Sequence, residues 1–167
     1  MDCKGIINVY KNQYKELKKK LENRNFNKNA IEREMEYIKN KLLGYANLSL
    51  EIKKMLSEDK GAFFSMYMDY MELSLIFLFF NMKEEAKKAL YSLKEILEKY
   101  PIHENLDVSQ MRFFDKEESK NLYTFNIYTN LLIVLNDDSY NELREEPIFK
   151  DVIEKILDME KMLKNKE

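Results

Sequence analysis

Residues that interrupt helices are rare in this chain, which has 3 glycines and 2 prolines among its 167 residues. Because helices tolerate glycine and proline least, this scarcity favours helix over every other regular structure. Hydrophobic residues make up 45% of the sequence, which is typical of a globular protein with a packed core. We therefore predict an all-α protein, folded as a compact bundle of six or seven helices in a single domain, residues 1–167.

Apolar residues recur every three or four positions, the spacing that lines them up along one side of a helix. In the second predicted helix this stripe consists of Ile31, Met35, Ile38, Leu42, Tyr45, Ile52 and Leu56. The predicted helices cover residues 4–23, 28–57, 62–80, 83–100, 116–136 and 147–165, with a further short turn of helix in SYNELREE (139–146). The first two of these helices are predicted to pack against each other as a long antiparallel hairpin. Gly44 indicates a bend or a close helix contact.

Charge is nearly balanced overall but uneven along the chain. The formal net charge of -2 favours neither a binder of polyanions nor an acidic mimic of nucleic acid. Residues 1–28 carry eight basic groups against three acidic ones, whereas residues 137–160 carry nine acidic groups against three basic ones. We interpret both stretches as solvated helix faces, which can attract each other within the fold or across a homodimer.

The first twenty residues, MDCKGIINVYKNQYKELKKK, reach lysines before any long apolar run, so we expect no signal peptide. Cys3 is the single cysteine and has no internal disulfide partner, which favours a reducing cytoplasm. The apolar stretch LSLIFLFF (73–80) raises the question of a membrane span. Its surroundings contain Asp69 and Glu72, and a span needs about 20 mostly apolar residues without central charges. We therefore expect no membrane association.

The side chains on which most enzyme sites depend are scarce. His103 is the only histidine, which excludes zinc motifs of the HExxH kind and bundle sites with paired ExxH motifs. The sequence has no CxxC pair and no glycine-rich loop that would hold a phosphate. Carboxylate pairs such as Glu32 and Glu36 are typical of solubilising helix faces. We expect a non-enzymatic protein without catalytic residues, cofactor or metal.

One candidate surface is a basic face on the first predicted helix. Its members are Lys11, Lys15, Lys18, Lys19 and Arg24. Basic residues beside Tyr10, Tyr14 and Phe26 are a pattern that binds single-stranded nucleic acid through phosphate contacts and base stacking. Both tyrosines fall on the apolar stripe, however, where burial would prevent stacking. A solvated helix face is therefore the stronger interpretation, and nucleic-acid binding the weaker one.

The third and fourth predicted helices resemble one tetratricopeptide repeat (TPR), over about residues 67–100. That family places a large aromatic, a leucine followed by a small residue, and a second aromatic along its first helix; the matching positions are Tyr70, Leu73, Ser74 and Phe77. NMKEEA (81–86) is similar to the family's turn, with Ala86 as the small residue where the helices touch. Asn81 stands where that turn usually has glycine. An ordinary hairpin within a bundle needs similar residues, so this alternative stays open.

The resemblance implies that the outward side of the third helix lines a binding groove. The residues at these positions are Met68, Met71, Leu75, Leu78 and Phe79. An apolar surface of this size is covered either by the protein's own core or by a partner. Long apolar stripes are usually buried, so core is the favoured interpretation, and an apolar partner helix is the alternative.

Three functions follow as hypotheses. The leading one is a cytoplasmic module that binds another protein, as an adaptor or regulator. The second is a small inhibitor of the immunity type, such as an antitoxin or a phage-encoded blocker of a defence nuclease. The third is an accessory subunit that binds nucleic acid through the basic helix.

Overall fold

Helices account for the regular structure in the computed structural model, which describes residues 3–22, 26–55, 60–101 and 126–165. These ranges hold six α-helices, one 3-10 helix and no strand: α1 (Cys3–Leu21), α2 (Lys28–Met55), α3 (Lys60–Phe79), α4 (Lys83–Lys99), α5 (Ile127–Leu135), the 3-10 helix (Asp138–Leu143) and α6 (Pro147–Lys164). The prediction of an all-α fold is confirmed.

Five predicted helices agree with the observed ones to within two residues at each end. The predicted short turn in SYNELREE is the 3-10 helix. The predicted helix 116–136 is described only from its N-cap, Asn126, onward. The preceding segment, including His103, lies outside the described residues.

The contacts divide the chain into two compact units, Met1–Leu48 and Ser49–Glu167. Helix α2 begins in the first unit and ends in the second. The single-domain organisation stays a prediction beside this division.

The first unit contains a helical hairpin. Asn27 accepts a hydrogen bond from the Ala30 amide at its side chain (3.2 Å), so it satisfies one of the free N–H groups at the start of α2. The Tyr10 and Tyr45 rings stack with centroids 6.0 Å apart. Tyr14, further along α1, interacts with Glu36, which comes earlier in α2 than Tyr45. The two helices therefore run antiparallel, which confirms the predicted hairpin.

The buried stripe of α2 moves around the helix. From Ile38 it continues through Leu42, Ala46 and Leu50, at steps of four residues. Four residues turn slightly more than one full turn of 3.6, so each step rotates the stripe toward the same side. Ile52, which the sequence pattern placed on this stripe, is therefore 48% exposed, and that prediction is wrong.

In the second unit, α3 and α4 are joined by a tight turn at Asn81. The Met82 amide donates to the Phe77 carbonyl (2.8 Å) and the Asn81 amide to the Leu78 carbonyl (2.9 Å). This pair of bonds is a Schellman motif, which needs a left-handed residue between the helices. Asn81 supplies it with φ 57°. Asparagine tolerates this conformation better than most residues other than glycine, so the turn closes without glycine.

The core of the second unit forms where α4 packs against both α3 and α6, and α6 packs against α5. On α4 the buried residues are Ala86, Ala89, Leu90, Leu93 and Leu97. On α5 and α6 they are Ile127, Tyr128, Leu131, Leu135, Ile148, Phe149, Val152, Ile156, Met159 and Leu163. Their spacing of three and four gives each of these helices one apolar side facing the core.

A hydroxyl pair lies inside this core and joins α3 to the 3-10 helix. Ser74 and Tyr140 are both 0% exposed, and their hydroxyl oxygens are 2.8 Å apart. The Met71 carbonyl is within hydrogen-bonding distance of both, 2.7 Å from Ser74 and 3.0 Å from Tyr140. Two hydroxyl protons therefore have two acceptors, so no donor is left unpaired. Burial raises the pKa of Tyr140, which keeps its proton at neutral pH.

Ion pairs connect α4 to α6 at the surface. Glu146, the N-cap residue of α6, lies 2.6 Å from Lys83 and 3.5 Å from Lys87. Further along, Lys94 lies 2.9 Å from Asp151. The Lys83 ammonium holds the pKa of Glu146 below its ordinary value of 4.5.

Replacing Asn81 with alanine should lower the free energy of unfolding by about 1 kcal/mol, because alanine has no local polar group to offset the left-handed conformation. Replacing it with glycine should leave stability unchanged or raise it. Urea denaturation of the two variants measures both values. An alanine variant as stable as the glycine variant would contradict the strained turn.

Replacing Glu146 with glutamine should flatten the acid dependence of stability. Since the folded-state pKa of Glu146 is lowered, its contribution is present above about pH 4.5 and is lost as pH falls through the lower folded value. Urea denaturation between about pH 5 and pH 3 should show a smaller decline for Glu146→Gln than for the unchanged protein. Glu95→Gln, at an exposed position on α4, is the control and should keep the original decline.

Candidate protein-binding groove

One face of α2 in the first unit forms an open groove. It is lined by Tyr37, Asn40, Lys41, Gly44, Tyr45 and Leu48. Four of these, Tyr37, Lys41, Gly44 and Leu48, follow each other at steps of four, three and four residues, so they share one side of the helix. We call these six residues the α2 groove.

Two large side chains stand at the ends of the groove with most of their surface free. Tyr37 is 57% exposed and Leu48 is 55% exposed. They are eleven residues apart, which is about 16 Å along a helix. Single exposed apolar residues are normal on a protein surface. Both lie on one side of the helix with Lys41 and Gly44 between them, so the groove has an apolar side chain at each end.

Tyrosines fix the wall of the groove next to α1. Tyr45 stacks on Tyr10, with the ring centroids 6.0 Å apart. Partial burial raises the pKa of Tyr10, and Tyr45 raises it further. The hydroxyl therefore keeps its proton at neutral pH and remains a hydrogen-bond donor. Tyrosine combines a flat apolar ring with a polar tip, which is why it is enriched at protein interfaces.

Lys41 is the charged residue of the groove. Its ammonium nitrogen lies 5.4 Å from the centroid of the Tyr37 ring, within the range of a cation–π interaction. This contact holds the exposed ring and the lysine beside each other. The groove therefore presents a positive charge next to an aromatic surface.

Gly44 forms the floor of the groove. A Cβ atom added at Gly44 would have no heavy atom within 4 Å, so open space lies above its backbone. The sequence predicted either a bend or a close helix contact at Gly44. No described residue makes a close helix contact there, so that prediction is wrong. Glycine within a helix is destabilising by about 1 kcal/mol relative to alanine. No contact within the described structure uses the missing side chain.

Charge differs strongly between the two units. Residues 1–48 contain 11 lysines and arginines against 6 aspartates and glutamates, which gives +5. Residues 49–167 contain 17 against 24, which gives -7. The near-neutral net charge of the whole chain is therefore the sum of a basic unit, which carries the α2 groove, and an acidic unit.

The predicted basic face is brought together only in part. Lys15, Lys18 and Lys19 line a shallow depression on α1 together with Asn12, Glu16 and Glu22. Lys19 lies 2.8 Å from Glu16, and this hydrogen bond raises the pKa of Lys19. Lys11 is half-buried, and Arg24 lies outside the described residues. Two carboxylates between the lysines weaken the attraction of this face for phosphates.

The predicted apolar set on α3 is divided between core and surface. Met71 is 0% exposed and its carbonyl belongs to the hydroxyl pair of the core. Met68, Leu75, Leu78 and Phe79 are half-buried. Met71 is therefore unavailable to a partner, and the other four offer only part of their side chains.

The α2 groove was not predicted from the sequence, although a signal was present. Tyr37 and Leu48 lie off the apolar stripe of their helix, and Gly44 lies between them. Large apolar residues outside the main stripe, at helical spacing from each other, indicate a second face. The prediction used only the main apolar stripe, which is where the core forms.

Among the described residues, no group of three or more histidine, cysteine, aspartate or glutamate side chains is placed to hold a metal ion. None of the helices in the described ranges has both the length and the apolar character that a membrane crossing requires.

Replacing Gly44 with alanine should raise the free energy of unfolding by about 0.5–1 kcal/mol, because the methyl group enters open space and alanine is the better helix former. Urea denaturation measures the change, and an unaltered slope shows that the unfolded state is unaffected. A loss of stability in Gly44→Ala would contradict the open floor of the groove.

Comparisons with known proteins add no relative to this picture. No family model, curated protein or solved structure matches the chain. The α2 groove and the charge of the two units are therefore the features that bear on function.

Proposed function

We propose that this protein is a non-enzymatic module that binds another protein through the α2 groove, as an adaptor or regulator. The observation that carries the proposal is the exposure of Tyr37 and Leu48 at the two ends of the groove, with open space above Gly44 between them. Binding sites for proteins typically combine aromatic anchors with open space that a partner's side chain can fill. A cytoplasmic location fits this role, since the sequence has a single cysteine.

The groove suits recognition better than chemistry. Its polar members are an amide, a lysine and two phenols: Asn40, Lys41, Tyr37 and Tyr45. None of them is paired with a histidine or carboxylate among the groove residues, so the usual acid–base partnership of an active site is not assembled there. Side chains of these types donate hydrogen bonds and stack, which are the contacts that orient a bound protein.

The α3–α4 hairpin is proposed to be TPR-like. Asn81 in the left-handed conformation supports this, because it performs the role of the glycine in the family's turn. Ala86 supports it as well, because it is 0% exposed on the helix that packs against α3. In this proposal the hairpin is a scaffold, and the groove on α2 is the binding surface.

An inhibitor of the immunity type is the second candidate. The observation that favours it is the net charge of -7 on the second unit. Exposed carboxylates lie close together in its sequence, at Asp137, Asp138, Glu142 and Glu145. Such a surface is complementary to the basic active site of a nuclease. Binding of nucleic acid by the first unit is the third candidate, and it is weakened by the glutamates between the lysines of α1.

Photocrosslinking in the source cells tests the proposal. Benzoylphenylalanine in place of Tyr37 should form a discrete protein adduct, identified by mass spectrometry. The same substitution at Tyr91, a tyrosine of α4 that is 55% exposed, is the matched control and should give no such adduct. Equal adducts at both positions, or none at Tyr37, would contradict a protein-binding role for the groove.

A pair of charge substitutions provides an independent measurement. Leu48→Glu should abolish co-purification of the crosslinked protein, because a carboxylate replaces an apolar contact at the end of the groove. Ile133→Glu, at a position of α5 that is 65% exposed, should leave it unchanged. The complex should also persist at about 0.5 M salt, since burial of apolar surface is not screened. A complex lost at that salt would instead support an electrostatic contact, as in the second and third candidates.

A further inference from the structure

We propose that the occupant of the α2 groove is an acidic amphipathic helix of another protein. In this arrangement an apolar side chain of the partner lies over Gly44, and a carboxylate of the partner meets Lys41. The inference rests on the proposed protein-binding function and adds the chemistry of the partner to it. Three observations carry it: the spacing of the groove residues, the open floor at Gly44 and the sign of the charge.

The spacing is that of a surface on which another helix packs. Tyr37, Lys41, Gly44 and Leu48 repeat at steps of four, three and four, which is the alternation of the two contact positions in a coiled coil. Helix α2 already has one apolar stripe, which is buried at Ile38, Leu42, Ala46 and Leu50. The groove is a second stripe on the same helix, with Tyr37 and Leu48 more than half exposed. About three turns of a partner helix match its length.

The floor at Gly44 sets where the partner comes closest. Its missing side chain leaves open space within 4 Å, and no described residue of the protein fills it. At Gly44, one of the four stripe positions, the partner can therefore place a large apolar side chain directly against the backbone of α2. Tyr37 and Leu48 on either side would then bury most of their exposed surface, which is the main source of affinity in such contacts.

The charge selects an acidic partner. Lys41 is the one charged side chain among the groove residues, and it is exposed. The unit around it has a net charge of +5. A carboxylate on the partner would neutralise Lys41 as it loses contact with water, whereas a basic helix would bring two cations together. Complementary charge of this kind raises the association rate as well as the selectivity.

Other occupants fit less well. The six groove residues of a second copy of this chain provide a lysine and no carboxylate, so Lys41 would remain uncompensated within the groove. A nucleic acid would meet one cation in the groove, although phosphate binding normally uses several. An acidic helix satisfies both the apolar ends and the central cation.

The first test maps the protein segment that is attached to benzoylphenylalanine at Tyr37. The expected segment has net negative charge and apolar residues at steps of three and four. A basic segment, or this chain itself, would overturn the inference while leaving protein binding in place. A Tyr37 adduct with no protein in it would remove the proposed function as well, so the two failures are distinguishable.

The second test measures binding of a synthetic helical peptide of about 20 residues by fluorescence anisotropy. The peptide has leucines at steps of three and four and glutamates beside them, and its twin has lysine in place of every glutamate. At low salt the full-length protein should bind the glutamate peptide about tenfold more tightly than the lysine peptide. Equal affinity for the two, or no binding of either, would overturn the inference.

Variants connect this preference to named residues. Lys41→Glu should remove or reverse the preference for the glutamate peptide, whereas Lys88→Glu, at an exposed lysine of α4, should preserve it. Gly44→Ala should weaken binding several-fold while the protein itself becomes more stable, so a folding defect cannot explain the loss. Unchanged affinity in Gly44→Ala would place the peptide elsewhere and overturn the inference.

Discussion

The packing of the second unit is determined by α3, because the apolar surface of this helix must be covered from several sides. This helix is apolar around most of its circumference, so no single partner can bury it. Helix α4, the 3-10 helix and α5 all contact it. Covering a helix in this way also buries its polar groups, and these must find partners inside. Ser74 does so through the Tyr140 hydroxyl and the Met71 carbonyl, which fixes the 3-10 helix against α3.

The first unit has a different organisation, because one helix serves two surfaces. Helix α2 buries its main stripe, contacts α1 through Tyr45 and leaves the other residues of the α2 groove exposed. The groove includes a glycine that weakens the helix and two large apolar side chains exposed to water. Each of these features is unfavourable for the folded chain considered alone. They become favourable together when a partner covers them, which is the basis of the proposed function.

Several features of the fold were predictable because they depend on local chemistry. Sparse glycine and proline predict an all-α chain, and apolar spacing locates most helix ends to within two residues. The turn at Asn81 was also visible, since asparagine accepts the left-handed conformation. Ile52 was misplaced because a fixed spacing ignores the rotation of the buried stripe along a long helix. The α2 groove was missed because a pattern of apolar residues does not distinguish a covered face from an open one.

The amino-acid sequence was sufficient for the helical class, the hairpin of α1 and α2 and the scarcity of catalytic side chains. These follow from backbone preferences and composition, which act within a few residues of the chain. Only the tertiary structure decided that Met71 lies in the core, that Ser74 meets Tyr140 and that Tyr37 and Leu48 stay exposed. Burial is set by residues far apart in the chain, such as the 66 positions that separate Ser74 from Tyr140. No local pattern carries that information.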